Sequence, residues 1–397
     1  MVRYLQTPYF VVHQSKLEQA ILSAQNAVAQ YWPNSIIGYS VKTNSMPWLL
    51  RYMRERGLYA EVVSDDEYLL AKHCGYTENT IIYNGIAKNK ETFIEAIEKS
   101  ALVHIDSWRE LQWLKELNPE RSYSVGLRVN FDLESMCPGE TACGNEGGRF
   151  GFCIEDGEFE RALSCLNVLP YVTLSSLHLH CSTKTRSLKV YQSIAKTACK
   201  IAKQYNLKLK FLDIGGGFFG GMTGKPQFAD YLRVLQENLS QWFCPEETTI
   251  VIEPGISLVG APISYVTTVV DVKKTTYHHF VITDGSRTHI DPLMHKSAYF
   301  YDIARRGTEA GSPMEEQVLC GFTCMETDRF MVWENLSPLC VGDEIRFCKV
   351  GAYTMNLASQ FIRYFPAVYL EENGELREIQ KKWSVTDVTR ENREPEV

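Results

Sequence analysis

The chain reads as an α/β protein, a (β/α)8 TIM-like barrel plus a C-terminal, mostly antiparallel β domain, on three observations. At 397 residues it exceeds the roughly 250 that one α/β barrel needs, leaving room for a smaller domain. From residue 30 to 265, short β-branched runs alternate with amphipathic helical patterns, as parallel strands with crossover helices do. After residue 265 the strand-like runs follow one another without helices between them. The expected boundaries are therefore 30–265 for the barrel and 1–29 with 266–397 for the β domain.

The eight barrel strands are expected at 36–41 (IIGYSV), 58–63 (LYAEVV), 80–84 (TIIYN), 102–105 (LVHI), 125–130 (VGLRVN), 174–180 (LSSLHLH), 210–214 (KFLDI) and 249–253 (TIVIE). Ser15 with Glu18 and Ser64 with Glu67 fit the S-x-x-E capping box, in which each side chain satisfies the other's free backbone N–H. Leu17, Ile21, Ala24 and Val28 then fall on one helix face and predict packing on the outside of the barrel. In the β domain the runs ISYVTTVVDV, HHFVITD, DEIRFCKV and FPAVYLEE read as strands, joined by the N-terminal YFVVH. The charged tail DVTRENREPEV is too poor in apolar residues to predict order.

Composition narrows the function. With 45% hydrophobic and 22% charged residues the chain has ordinary globular values, and its net charge of −7 offers no basic face for nucleic acid or anionic lipid. No apolar stretch approaches the roughly 20 residues of a membrane span, and no signal-peptide pattern is visible, so a cytoplasmic protein with small-molecule partners is expected. The 12 cysteines form no dense framework and read as reduced thiols; Cys137 and Cys143 lie close, but no second Cys or His pair completes a zinc site. The nine histidines show no metal-binding spacing, and no metal is expected.

Barrel enzymes act at the C-terminal ends of their strands. Those ends carry Lys42, His180, the run Gly215, Gly216 and Gly217, and Glu253. A lysine closing an apolar strand suits Schiff-base chemistry, because desolvation frees a nucleophilic amine, though a lysine there could also snorkel at the rim. DIGGG can aim backbone N–H groups at an anion or be a bare tight turn. His178 and His180 share a face at strand spacing, as ligand-lining or as satisfied core residues. The Glu253-Pro254-Gly255 turn sets a carboxylate at the rim. Together these are the parts a pyridoxal 5′-phosphate (PLP) site requires: an aldehyde trap, a ring-stacking partner, a phosphate cradle and an acid for the pyridine nitrogen.

The segments TPYFVV, YSVKTNS, HLHCS, LDIGGGF, IEPG, CGFTC, VGDEIRF and GAYTMNLASQF make the chain similar, over nearly its whole length, to the alanine-racemase-fold (type III) PLP decarboxylases that act on ornithine, arginine, diaminopimelate and carboxynorspermidine. The resemblance implies that Lys42 holds PLP as a Schiff base, that His180 stacks on its ring, that Ser182, Gly215, Gly216, Gly217 and Tyr353 bind its phosphate, and that Glu253 pairs with the pyridinium nitrogen. It also implies a homodimer with shared sites, in which Cys324 reaches in from the second subunit and reprotonates the product after CO2 leaves. Cys324 could equally be a structural thiol.

The substrate is where the sequence departs from its relatives. Diaminopimelate decarboxylases carry Arg after E-P-G and Arg in an R-P-x-x-Y segment, whereas this chain has Ile256 and Asp291. The residue after the cysteine, Asp or Glu in the ornithine and diaminopimelate branches, is Met325. The apolar residue there and the missing Arg resemble the carboxynorspermidine enzymes of polyamine biosynthesis, while YSVKTNS resembles the other branches. Asp291, Glu326 and Asp328 could favour a cationic tail. The expected activity is decarboxylation of an amino acid, or of a carboxylated polyamine such as carboxynorspermidine, to the amine. Diaminopimelate or another specialised amino acid is the alternative, and a racemase or a silent regulator on the same fold would be further ones.

Overall fold

The computed structural model describes residues 5–307 and 311–390. The chain divides into two compact units, residues 20–258 and residues 1–19 with 259–397.

The first unit is a closed parallel barrel. Its strands are Ser35–Ser40, Tyr59–Val62, Ile81–Tyr83, Leu102–Ile105, Tyr123–Asn130, Val172–His178, Phe211–Asp213 and Thr249–Ile252. Each pairs with the next, and the last pairs in parallel with the first, Ile250 opposite Ser35 and Ile252 opposite Ile37, which closes the ring, while the two-residue Phe152–Cys153 pairs from outside it with Tyr123–Asn130. All eight fall where the alternation predicts, with ends displaced by up to two residues. The displacements matter at two sites: Lys42 lies in a 3-10 turn, Val41–Thr43, beyond its strand, and His180 lies two residues beyond the end of Val172–His178.

The helices obey their local signals with one correction. The first helix, Gln14–Tyr31, buries Leu17, Ile21, Ala24 and Val28 as its periodicity requires, but it begins before Ser15, which is therefore inside the first turn and not its cap. Ser64 does cap the helix Asp65–His73, accepting the N–H of Glu67 at 3.2 Å. The Glu67 carboxylate reaches one residue further back than a capping box requires, to the N–H of Val63 at 2.9 Å.

The second unit is built on a nine-stranded, mostly antiparallel sheet. Tyr9–His13 joins it, antiparallel to Ile263–Lys274 and parallel to Ala367–Glu372, burying Phe10 and Val12. The predicted runs appear at Ile263–Lys274, His279–Thr283, Glu344–Cys348 and Ala367–Glu372; Phe300–Ala304, Met314–Cys320, Arg329–Leu336 and Glu375–Gln380 add four more. Of the charged tail, Asp387–Thr389 belongs to a short helix whose Ser384 and Asp387 side chains cap each other, while 391–397 lie outside the described residues. No helix among the described residues is long and apolar enough to cross a membrane.

Candidate active site

The C-terminal ends of the barrel strands surround a cleft of about 260 Å³ lined by Lys42, Glu61, Asn84, Arg128, Arg149, Phe150, His178, His180, Ser182 and Glu253. Lys42 Nζ is 2.7 Å from Glu61 Oε2, with the lysine side chain 37% exposed and the glutamate 1%. A carboxylate buried that deeply would be costly unless its lone pairs were met. They are: Ser40 Oγ donates to the same oxygen at 2.7 Å and Asn84 Nδ2 to the other at 3.2 Å.

Across the cleft, Glu253 follows its strand and is almost fully buried. It accepts a second N–H of Asn84 and faces His178, whose Nε2 lies 3.6 Å from Oε2. Among the described residues, neither ring nitrogen of His178 finds a hydrogen-bond partner. Asp213 lies behind them, and potential ligand atoms of His178, Asp213 and Glu253 all fall within 4.8 Å of one another. Burial and the adjacent Glu253 raise the Asp213 pKa well above the ordinary carboxylate range, which favours its protonated form.

Burial also disfavours the charged form of the imidazoles. His104 and His178 titrate well below the usual range, and His180 is pushed down to about 3, so all three are neutral near neutral pH. The His178 and His180 rings stand 6.2 Å apart at 25°, and His180 Nδ1 accepts the N–H of Gly216 at 3.1 Å, which fixes the ring with its proton on Nε2.

That bond revises the expected role of the glycines. The N–H of Gly215 donates to Asp213 Oδ1 at 2.8 Å and that of Gly216 to His180, so these two amides are engaged within the chain and do not converge on an anion. Glycine is required there for close approach: a Cβ on Gly215 would lie 2.4 Å from His180, and one on Gly216 2.1 Å from the carbonyl oxygen of Glu253.

Several residues around the cleft are absent from the sequence reading. Glu61, Asn84, His104 and Asp213 each sit in or at the end of a barrel strand, and the signal was available: a polar residue in an apolar strand, the same argument that singles out Lys42. Arg128 is held by Asp106 at 3.2 Å, and its guanidinium lies 4.5 Å from the ring centre of Phe150.

The remaining predicted residues belong to the second unit. Cys324 is exposed and lines an open hollow with Thr323, Met325, Glu326 and Arg329. Tyr353 is 43% exposed with φ +54°. Asp328 is buried and accepts from Ser286 Oγ, Thr323 Oγ1 and the backbone N–H groups of Arg287 and Thr323. Asp291 accepts from the Arg287 guanidinium at 2.8 Å, Tyr299 Oη and the N–H groups of His295 and Lys296. Both carboxylates are saturated by the fold, which corrects their assignment to a cationic tail; Glu326 is 93% exposed and paired with Arg329.

Comparison with known proteins agrees with this geometry. Over 392 residues the chain is 26% identical to the diaminopimelate decarboxylase of Aquifex aeolicus, covering 95% of this chain and 89% of that protein. It is equally similar to that of Bacillus subtilis, over 97% and 91% of the two chains. The fold superposes on the diaminopimelate decarboxylase of M. jannaschii with a TM-score of 0.87 at 21% identity, over 98% and 93% of the chains. Against the Helicobacter pylori enzyme complexed with L-lysine the TM-score is 0.82 at 24% identity, over 98% and 97%. Residues 16–260 match the pyridoxal binding domain, and residues 261–351 the C-terminal sheet domain, of the pyridoxal-dependent decarboxylases. The chain belongs to that family and is a PLP-dependent carboxy-lyase.

Proposed function

We propose that the cleft at Lys42 is the catalytic site and that it decarboxylates diaminopimelate, the substrate named for the Aquifex aeolicus and Bacillus subtilis relatives that match nearly the whole chain. The observation that carries the site is the pairing of Lys42 with buried Glu61 on one side of a cleft whose other side presents Glu253. The side chains suit the cofactor: an amine for its aldehyde, a fixed neutral imidazole face at His180, and a carboxylate at Glu253 beside the unpartnered nitrogens of His178. When bound, PLP supplies an electron sink for the pair released with CO2. Lys42 would hold the cofactor, His180 would face its ring, Glu253 would keep the ring nitrogen protonated, and Ser182 and Gly217 would take the phosphate, to which the resemblance also assigns Tyr353. Arg128 and Arg149 are the cations within reach of a carboxylate in the cleft.

A second substrate reading rests on Ile256 and Met325, which stand where diaminopimelate enzymes carry Arg and Glu; it assigns a carboxylated polyamine such as carboxynorspermidine. CO2 release from diaminopimelate, carboxynorspermidine, ornithine and arginine, with Lys42→Ala as the blank, separates the two. Turnover by Lys42→Ala at the wild-type rate would remove the site assignment, and release from carboxynorspermidine alone would remove diaminopimelate. The resemblance further supports a homodimer in which Cys324 completes the other chain's site and donates the final proton. Mixed Lys42→Ala and Cys324→Ala subunits then regain activity, because one site per heterodimer holds both residues. No recovery after verified exchange refutes the shared site.

A further inference from the structure

We propose that Asn84, held in orientation by His104, is a positioning residue that ties the carboxylate facing Lys42 to the carboxylate at the end of the eighth barrel strand, so that Glu61 and Glu253 respond as one unit. The inference rests on the placement of the cofactor at Lys42.

The amide of Asn84 has two N–H bonds, and the structure uses both: one to Glu61 Oε1 at 3.2 Å, the other to Glu253 Oε1. Its oxygen lies 2.7 Å from His104 Nδ1. The two ends of a side-chain amide have nearly the same shape, so something must decide which faces the carboxylates. His104 does so. Its Nε2, 2.7 Å from Ser176 Oγ, can accept that hydroxyl's proton, which leaves the ring's single proton on Nδ1 for the Asn84 oxygen; this is the tautomer that matches an amide whose NH2 end faces acceptor-only carboxylates. With the amide reversed, its oxygen would face two carboxylates and its NH2 group a ring N–H.

The four residues come from four different strand ends, and Glu61, Asn84, His104 and Glu253 are each no more than 4% exposed. In so desolvated a site a hydrogen-bonded chain transmits charge more strongly than it would in water. A change of charge opposite Glu253 is therefore felt at Glu61, and through it at the nitrogen of Lys42, which lies 2.7 Å away. A purely packing role for Asn84 would need neither both donors nor a partner that fixes the amide.

The test is a double-mutant cycle on the PLP-loaded enzyme, read by the pH midpoint of the visible cofactor absorbance band and by kcat and KM separately. Other ionisable groups around the network, Lys42, Glu67, Lys88, Arg128, His178, His180 and Asp213, are unchanged throughout. Glu253→Gln is expected to move the midpoint by on the order of one pH unit when Asn84 is present. With Asn84→Ala the same change should move it by less than roughly a third as much, and Asn84→Ala alone should lower kcat about tenfold or more with KM nearly unchanged. Equal displacement in both backgrounds overturns the proposal. His104→Gln, which leaves Asn84 in place but removes the ring that orients it, serves in the same cycle if Asn84→Ala does not fold, and an additive result there refutes the proposal as well. A wild-type enzyme without a visible band that borohydride abolishes would instead overturn the placement of the cofactor itself.

Discussion

Two glycines of the barrel unit, almost identical in φ, allow the cost of close packing at the site to be separated from the cost of a positive φ. Gly215 has φ +76° and Gly224 φ +74°, so alanine at either position enters the left-handed region, at about 1–2 kcal/mol. At Gly224 nothing lies within 4 Å of the added Cβ. At Gly215 the Cβ falls 2.4 Å from both Cβ and Nδ1 of His180, a full ångström inside ordinary contact. Overpacking of that kind adds about 1–3 kcal/mol, because the His180 backbone and ring must move together.

Gly224→Ala is therefore expected to lose about 1–2 kcal/mol with turnover unchanged, and Gly215→Ala about 2–5 kcal/mol. Moving a positioned group by roughly 1 Å can cost on the order of a hundredfold in rate, so Gly215→Ala should also lose turnover and cofactor affinity. Urea unfolding followed by tryptophan fluorescence measures the first difference, and steady-state turnover at saturating PLP the second. If the two variants agree within about 0.5 kcal/mol and both retain activity, the reasoning that glycine is needed for the approach of His180 is wrong.

Glu253→Gln should keep bound PLP but slow decarboxylation by on the order of a hundredfold, because an amide cannot hold the ring nitrogen protonated; a loss of only a few-fold in kcat would assign that nitrogen to another group, Asp213 being the carboxyl behind it. Lys88 and Glu110 are both fully buried, 3.1 Å apart, so Lys88→Met leaves an uncompensated charge and should cost about 3–5 kcal/mol in urea unfolding, much of it restored by adding Glu110→Leu. If Lys88→Met is neutral, the pair is not ionised in the folded chain. Burial pushes His289 down to about 4 from 6.5, so below pH 6.5 the unfolded chain binds a proton that the folded chain does not, and stability falls as pH drops. Relative to His289→Gln, wild type should lose up to roughly 3 kcal/mol between pH 7 and 4; parallel stability curves would show that the imidazole does not stay neutral.

The barrel was legible because a parallel strand buried on both faces is a short apolar run, and eight such runs separated by amphipathic stretches leave few other architectures. Strand ends were less so. YSVKTN continues the β pattern past Ser40, but the chain turns into a 3-10 segment that buries Val41 and Thr43 and turns Lys42 toward the cleft. Of the four missed strands of the second unit, Phe300–Ala304 and Glu375–Gln380 are largely exposed, so neither shows an alternation of buried and exposed positions. Lys42, His180 and Glu253 could be placed from their positions at strand ends, whereas the engagement of Asp291 and Asp328 depends on donors such as Tyr299, Thr323 and the backbone of Arg287, which no spacing rule connects to them.

The polar layer beneath the cleft explains why the isolated chemical signals in the sequence looked ambiguous. A lone lysine, histidine or glutamate in an apolar strand is as readily structural as functional, and here they belong to one hydrogen-bonded layer. His104 carries no charge and does not line the cleft, yet it orients Asn84; Asp213 holds a proton and receives the N–H of Gly215, yet it sets the surroundings of Glu253. With burial disfavouring the charged forms of His104, His178, His180 and Asp213, the acidic and basic side chains of the cleft that are joined by hydrogen bonds are Lys42, Glu61 and Glu253. Those three are connected through one asparagine amide. The link between the two carboxylates is thus a residue that no charge-based reading of the sequence would select.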